Sequence, residues 1–218
     1  MTAAPRTTVV VMAKAPVAGQ VKTRLCPPCT PGEAAAIAEA ALRDTLAVVL
    51  AAPVDRRLLV LDGAPGDWLP AGFDVVAQRG RDLAQRLDHA VSCVPSGQLL
   101  IVGMDTPQLT ISLLQKGFAA LDGADAALGP ATDGGWWALA LRSPYVGLFD
   151  GVPMSAPDTR ARQLDRLGAM GLRTVPLPEL TDVDRFCDAQ DVAASIPGSA
   201  FARAVGAVGV GQIVTVLK

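Results

Sequence analysis

Residues Thr7 to Ala13 read TTVVVMA, an unbroken apolar and β-branched run that ends at Lys14. A strand with one wet face alternates apolar and polar residues, whereas a run apolar at every position suits a central parallel strand covered on both faces. The segments behind it keep changing type. Thr30-Pro31-Gly32-Glu33 opens a predicted helix, with Thr30 as N-cap, Pro31 at the first helical position and Glu33 closing a capping box. That Ala-rich helix runs to Ala52 and carries Glu39 and Arg43 at i,i+4 on an exposed face. Strands are predicted at Arg57–Asp62, Phe73–Ala77, Gln98–Gly103, Ala124–Gly129, Trp136–Leu141 and Leu172–Leu177. Helices are predicted over Gly80–Val94, Thr110–Leu121, Thr159–Met170 and from Asp184 onward. Alternation of this kind predicts a three-layer α/β/α sandwich around a mostly parallel mixed sheet.

Composition narrows the class. At 218 residues the chain is expected to form a single domain, 1–218, with a core that needs no cross-link. Half its residues are hydrophobic and 18% charged, which excludes a disordered chain, and four cysteines are too few for a disulfide scaffold. Lys and Arg number 19 against 21 Asp and Glu, so the basic excess of a nucleic-acid binder is missing. Apolar runs stop well short of the ~20 residues of a membrane span. Met1 to Arg6 is too short for the basic flank of a signal peptide, so a cytoplasmic protein is expected. The apolar tail from Val205 to Leu217 suits packing on its own core or on a partner chain, and oligomeric state stays open.

Ligands of open α/β sheets bind outside the carboxyl ends of the strands, which directs attention to the strand-end loops. After the first strand, Lys14, Lys22 and Arg24 share a loop with Gly19 and Thr23, a composition that can cradle phosphate and equally one of a solvated surface loop. It lacks the glycine pattern of a Walker loop and of a dinucleotide fingerprint. After QLLIVG comes Met104-Asp105-Thr106-Pro107, where Asp105 either holds a divalent cation against phosphate or caps a turn. Asp133-Gly134-Gly135 either brings backbone close to a ligand or turns a hairpin. Of the following pair, Trp136 and Trp137, one side chain is expected on each face of the sheet. Asp182 and Asp184, spaced i,i+2 on an extended segment, either point together at a metal or cap the next helix. Jointly these loops describe a nucleotide-phosphate site bridged by a divalent cation.

The segments VVMAKAPVAGQVKTRL, RGRDLAQRL, IVGMDTPQL, LGPATDGGWWALAL and LPELTDVD, spread over residues 9–184, resemble the DUF2064 family. These are radical-SAM/selenodomain-associated, CofC-like transferases with the nucleotide-diphospho-sugar transferase (GT-A) fold, shared with molybdenum-cofactor and 2-phospholactate guanylyltransferases. The resemblance implies a nucleoside triphosphate or nucleotide-sugar donor, a small-molecule acceptor and Mg2+ or Mn2+ as cofactor. Ala13, Lys14, Gly19, Lys22 and Arg24 match the loop that binds base and phosphates, and Asp82, in the second matched segment, is expected to bind the donor as well. Asp105 carries over as metal ligand and Asp184 as the second. Asp133, Gly134 and Gly135 match the place of the acceptor or transferred group. Lys22, Arg24 and Asp105 are the residues expected to carry the reaction. Met104 stands where the family has Ser, Trp136-Trp137 where it has two tyrosines, and Arg185-Phe186-Cys187 where it has Thr-Pro-Glu, and the first two departures fall at the acceptor.

Transfer at phosphate asks for positioning and charge more than proton chemistry, which fits a chain with one histidine, His89. Cys26-Pro27-Pro28-Cys29 has redox or zinc spacing, yet no second ligand pair accompanies it and a structural role is expected. Two other readings are a non-catalytic nucleotide-binding module and a thiol protein centred on Cys26 and Cys29. The first is opposed by Asp105 and Lys22. The second predicts that Cys→Ser changes abolish function while Asp105→Asn is harmless.

Overall fold

The computed structural model describes residues 7–209. Seven strands form one sheet: β1 (Thr7–Lys14), β2 (Arg56–Asp62), β3 (Asp74–Ala77), β4 (Gln98–Gly103), β5 (Ala126–Pro130), β6 (Trp136–Leu141) and β7 (Thr174–Pro176). Their spatial order is β3-β2-β1-β4-β6-β5-β7, and only β6 runs antiparallel to its neighbours. The TTVVVMA run is the middle of this sheet, where Val11 sits between Leu59 of β2 and Val102 of β4. Alternation of side chains along β1 explains its apolar continuity. Val9 and Val11 belong to one buried cluster, and Val10 and Met12 to the cluster on the other face.

Helices α1 (Pro31–Ala51) and α3 (Ile111–Ala120) cover the first face through Leu42, Leu46, Val49 and Leu114. Helices α2 (Leu83–Ser92) and α4 (Thr159–Ala169) cover the second through Leu87, Val91 and Leu167. The Thr30 capping box forms as the sequence predicts: the Thr30 hydroxyl accepts from the Glu33 amide at 3.2 Å and the Glu33 carboxylate accepts from the Thr30 amide at 2.7 Å. At the other end of α1, Arg57 donates to the carbonyls of Val49 and Ala52, which satisfies two of the helix's last acceptors.

The last two helices, α5 (Phe186–Ser195) and α6 (Ala200–Gly206), add a layer the alternation alone does not predict. They pack Ala189, Val192, Phe201 and Val205 against the outer flank of α1, at Ala34, Ile37 and Ala41. Helix α1 is therefore buried between the sheet and a helix pair, and its alanines permit that close approach. Pro197-Gly198 separates α5 from α6 where one helical stretch is expected from sequence. Val205 joins this core and Val208 packs against it, while residues 210–217 of the predicted apolar tail lie outside the described residues. Helix α2 starts at Leu83 and not at Gly80, because the Asp82 carboxylate accepts from the Gln85 amide at 2.9 Å and caps it. Among the described residues no helix is long and apolar enough to cross a membrane.

Candidate active site

Strand β1 has β2 on one side and β4 on the other, so the connections leaving β1 and β4 diverge and open a crevice at the carboxyl edge of the sheet. Because β6 is antiparallel, its start lies at that same edge, which brings Asp133, Gly135 and Trp136 to the crevice. A segment after β7 closes one side. Leu180 accepts from the Thr132 amide and Val183 donates its amide to the Asp105 carbonyl at 2.9 Å. The Gln108 side chain holds the Thr181 carbonyl at 2.7 Å. The resulting cleft has a volume of about 510 Å³.

Two oppositely charged pairs cross it. The Lys22 ammonium lies 2.6 Å from Asp105 Oδ1 and also donates to the Val183 carbonyl, with its side chain only 10% exposed. Arg24 Nη1 lies 2.7 Å from Asp184 Oδ2. Lys22 takes φ 47°, a left-handed conformation that costs a residue with a Cβ about 1–2 kcal/mol. That conformation starts the short 3-10 turn Thr23–Leu25 and turns the loop's cations back onto the strand ends. Burial alone pulls the Lys22 ammonium down, but Asp105, Asp182 and Asp184 outweigh it and raise its pKa.

Asp182 is pushed up to about 7, first by burial, then by the neighbouring Asp105 charge, with Lys22 opposing. No hydrogen bond reaches its carboxyl from any described residue. The capping roles open to these acids are filled by others. Thr110 caps α3, and the Asp188 carboxylate caps α5 by accepting from the Arg185 amide at 2.7 Å. Asp105, Asp182 and Asp184 thus keep their side chains for the cleft.

The donor set is hard oxygen, which suits Mg2+ or Mn2+. Asp182 is a half-buried carboxyl whose charge Lys22 only partly offsets, a donor that a hard cation would suit. Among the described residues no three Asp, Glu, His or Cys side chains converge into a closed metal cage. Asp105 and Asp184 could therefore hold a divalent cation only if water or a ligand's phosphates supplied its remaining oxygens.

Of the residues expected from sequence, Ala13, Lys14, Lys22, Arg24, Asp105, Asp133, Gly135 and Asp184 line the cleft. Three do not. Gly19 sits outside it with φ +76° and open space around its Cα. Asp82 is committed to capping α2. Gly134 does make a close approach, but to protein: a Cβ there would meet the Pro157 carbonyl oxygen at 2.0 Å, and its own carbonyl accepts from the Arg160 amide at 2.9 Å. Asp133 accepts from the Gly135 amide at 2.8 Å, the turn that Asp-Gly chemistry predicts. The tryptophans divide by face. Trp137 is buried and donates to the Pro178 carbonyl at 2.9 Å, while Trp136 stacks on Phe149 with ring centroids 6.2 Å apart.

Sequence reasoning missed a third ion pair. Asp62, at the end of β2, meets Arg86 of α2 at 3.0 Å, and Gln78 beside them donates to the Ala13 and Val60 carbonyls. The strand-end rule applied to Asp62 points to it. Met154 and Ser155, which also line the cleft, come from a connection without periodicity and carry no sequence signal. His89 lies on α2 away from the cleft lining, and Cys26, Cys29, Cys93 and Cys187 are all free thiols. Burial, then the nearby Glu33, pushes the Cys29 thiol up, the opposite of an activated cysteine.

An open sheet with one antiparallel strand, a cleft large enough for a whole small-molecule ligand at its switch point and acids at the strand ends define a nucleotide-diphospho-sugar transferase fold. A protein of Desulfovibrio desulfuricans G20, assigned as a nucleotide-diphospho-sugar transferase, superposes with TM-score 0.80 at 27% identity over 90% of each chain. A family profile described as "Uncharacterized protein conserved in bacteria (DUF2064)" matches residues 36–156, and the chain belongs to that family. The 2-phospho-L-lactate guanylyltransferase of Halorubrum lacusprofundi is 32% identical over 169 residues, 77% of this chain and 76% of the relative. Rv0371c of Mycobacterium tuberculosis H37Rv, solved in complex with manganese, shares the fold at TM-score 0.54 and 21% identity, covering 87% of this chain and 98% of that one. The chain is a transferase, similar to enzymes that transfer nucleotidyl or sugar groups.

Proposed function

We propose that this protein transfers a nucleotidyl group from a nucleoside triphosphate to a small-molecule acceptor, with Mg2+ or Mn2+ held by Asp105 and Asp184. The observation that carries the reading is the meeting of Lys22 and Arg24 with Asp105 and Asp184 at one strand-end cleft. Manganese in the Rv0371c structure and guanylyl transfer by the Halorubrum relative support it. A bound cation would neutralise the donor's phosphates and the charge that builds on the leaving pyrophosphate.

The chain's own groups supply the rest. Lys22 and Arg24 stabilise negative charge on the phosphates, and Ala13 and Lys14 form the floor beneath the donor. Asp133, Gly135 and Trp136 present the acceptor, whose oxygen attacks the α-phosphorus. The bond from that phosphorus to the bridging oxygen breaks, pyrophosphate leaves and the acceptor proton passes to solvent. Positioning and electrostatics of this kind lower the barrier without a dedicated acid or base. Nucleotide substrates and free thiols both suit a cytoplasmic setting.

The test is a product assay with candidate triphosphates and acceptors, Mn2+ present or chelated. Metal-dependent pyrophosphate release with a nucleotidylated product is expected, and Asp105→Asn should lower it by about 100-fold or more, the scale of losing one preorganised charge contact. The same diphosphate site serves a nucleotide-sugar, which the Desulfovibrio neighbour's assignment favours. Release of nucleoside diphosphate from such a donor would move the reaction to glycosyl transfer.

A further inference from the structure

In the protein without ligand Lys22 is not free for phosphate but is already paired with acid. Its ammonium is held by Asp105 Oδ1 at 2.6 Å and by the Val183 carbonyl, and it interacts electrostatically with Asp182 and Asp184 on either side of that carbonyl. Carboxylate and backbone carbonyl oxygens around one positive charge are the donors a hard divalent cation takes. Arg24 occupies Asp184 in the same manner at 2.7 Å. The left-handed backbone at Lys22 shows that the fold holds this arrangement against local preference.

We infer that the Lys22 ammonium is a tethered occupant of the divalent-cation position, so that the free protein takes up metal poorly and takes it well only together with a ligand whose phosphates draw Lys22 off Asp105. The inference rests on the transferase reading for the place of the metal. A divalent cation and an ammonium cannot share one set of oxygens, because like charges at contact distance repel strongly where water is scarce. Phosphate gives Lys22 another partner and frees the carboxylates. Metal and donor then bind cooperatively, each raising the affinity for the other by the same factor. The device keeps the site from filling with metal when no donor is present.

The experiment measures Mn2+ binding by electron paramagnetic resonance and calorimetry, without nucleotide, on the wild type, Lys22→Gln and Lys22→Met, and on each variant combined with Asp105→Asn. Lys22→Gln removes the charge and keeps an N–H donor on a shorter side chain, and Lys22→Met removes the charge without adding an oxygen that could itself hold Mn2+. Expected is weak binding by the wild type, binding at least about tenfold tighter by both Lys22 variants, and loss of that gain with Asp105→Asn. Equal affinity in wild type and variants overturns the inference, as does tight Mn2+ binding by the wild type alone. If neither variant folds, the wild type decides. Saturating pyrophosphate should raise its Mn2+ affinity at least about tenfold, and an unchanged affinity overturns the idea. Metal-dependent stabilisation by nucleotide is a separate readout, so the transferase reading can survive an unchanged Lys22 variant.

Discussion

On the wall of the cleft made by the first loop and the segment 180–184, polar groups are matched by charge. Lys22 meets Asp105 and Arg24 meets Asp184, partners far apart in sequence that an incoming diphosphate and cation can exchange. On the wall made by the start of β6 and the connection to α4, most polar groups are consumed by the protein itself, the exception being the Trp136 indole N–H, which has no partner among the described residues. Asp133 holds the Gly135 amide, Gly134 holds the Arg160 amide, and the Thr159 hydroxyl donates to carbonyls of its own loop and accepts from the Ala156 amide. None of the cleft-lining residues between 131 and 159 is positively charged. On the proposed function, the first wall would select by electrostatics and the second by shape, with Trp136 and Met154 as its surface.

That contrast can be broken most severely at Gly134. Gly134→Ala drives a Cβ into the Pro157 carbonyl at a φ of +92°, and should destabilise the protein by roughly 2–4 kcal/mol, read as a lower urea midpoint. Next in size is Trp136→Ala. It should raise the acceptor KM by about 10-fold, the scale of one lost aromatic contact, while nucleotide affinity stays within twofold or so in equilibrium binding. A fall in nucleotide affinity instead would show that the walls do not divide donor from acceptor.

The charged wall is sharpened by pH. Asp182 titrates near 7 folded, with burial as the leading cause, and near 4 unfolded, so between those values the folded state binds the extra proton. Stability of the metal-free protein should therefore fall as pH rises from about 4 to about 7, and Asp182→Asn should flatten that slope in thermal melts. The smallest effect belongs to the thiols. Cys26→Ser and Cys29→Ser should leave transfer within about twofold of wild type, at a stability cost of order 1 kcal/mol for the buried Cys29. Loss of activity there would revive the thiol reading.

Much of the sheet was legible because its strands are buried on both faces and so read as apolar runs bounded by charge or glycine. Lys22, Arg24, Asp105 and Asp184 were legible for a different reason: topology places strand ends together whatever their chemistry. What stayed hidden depends on register and on backbone. Gln78 bridges two strands only because β3 leaves the sheet where it does. Gly134 looked like a ligand contact and serves a loop. Asp82 looked like part of the binding segment and caps a helix. The α5–α6 layer was hinted at by α1, whose small residues run around the whole helix where a one-sided stripe would have sufficed.

The central claim is that Asp105 belongs to a metal-dependent nucleotide site, and thermal shift tests it most directly. Wild type and Asp105→Asn would each be melted with nucleoside di- and triphosphates and nucleotide-sugars, with and without Mn2+. A nucleotide at a hundred times its Kd should stabilise the wild type by about 2.7 kcal/mol, a shift of a few degrees, only when metal is present. Asp105→Asn should lose that shift while melting normally alone. No shift with any nucleotide, or an equal shift in both proteins, would contradict the account.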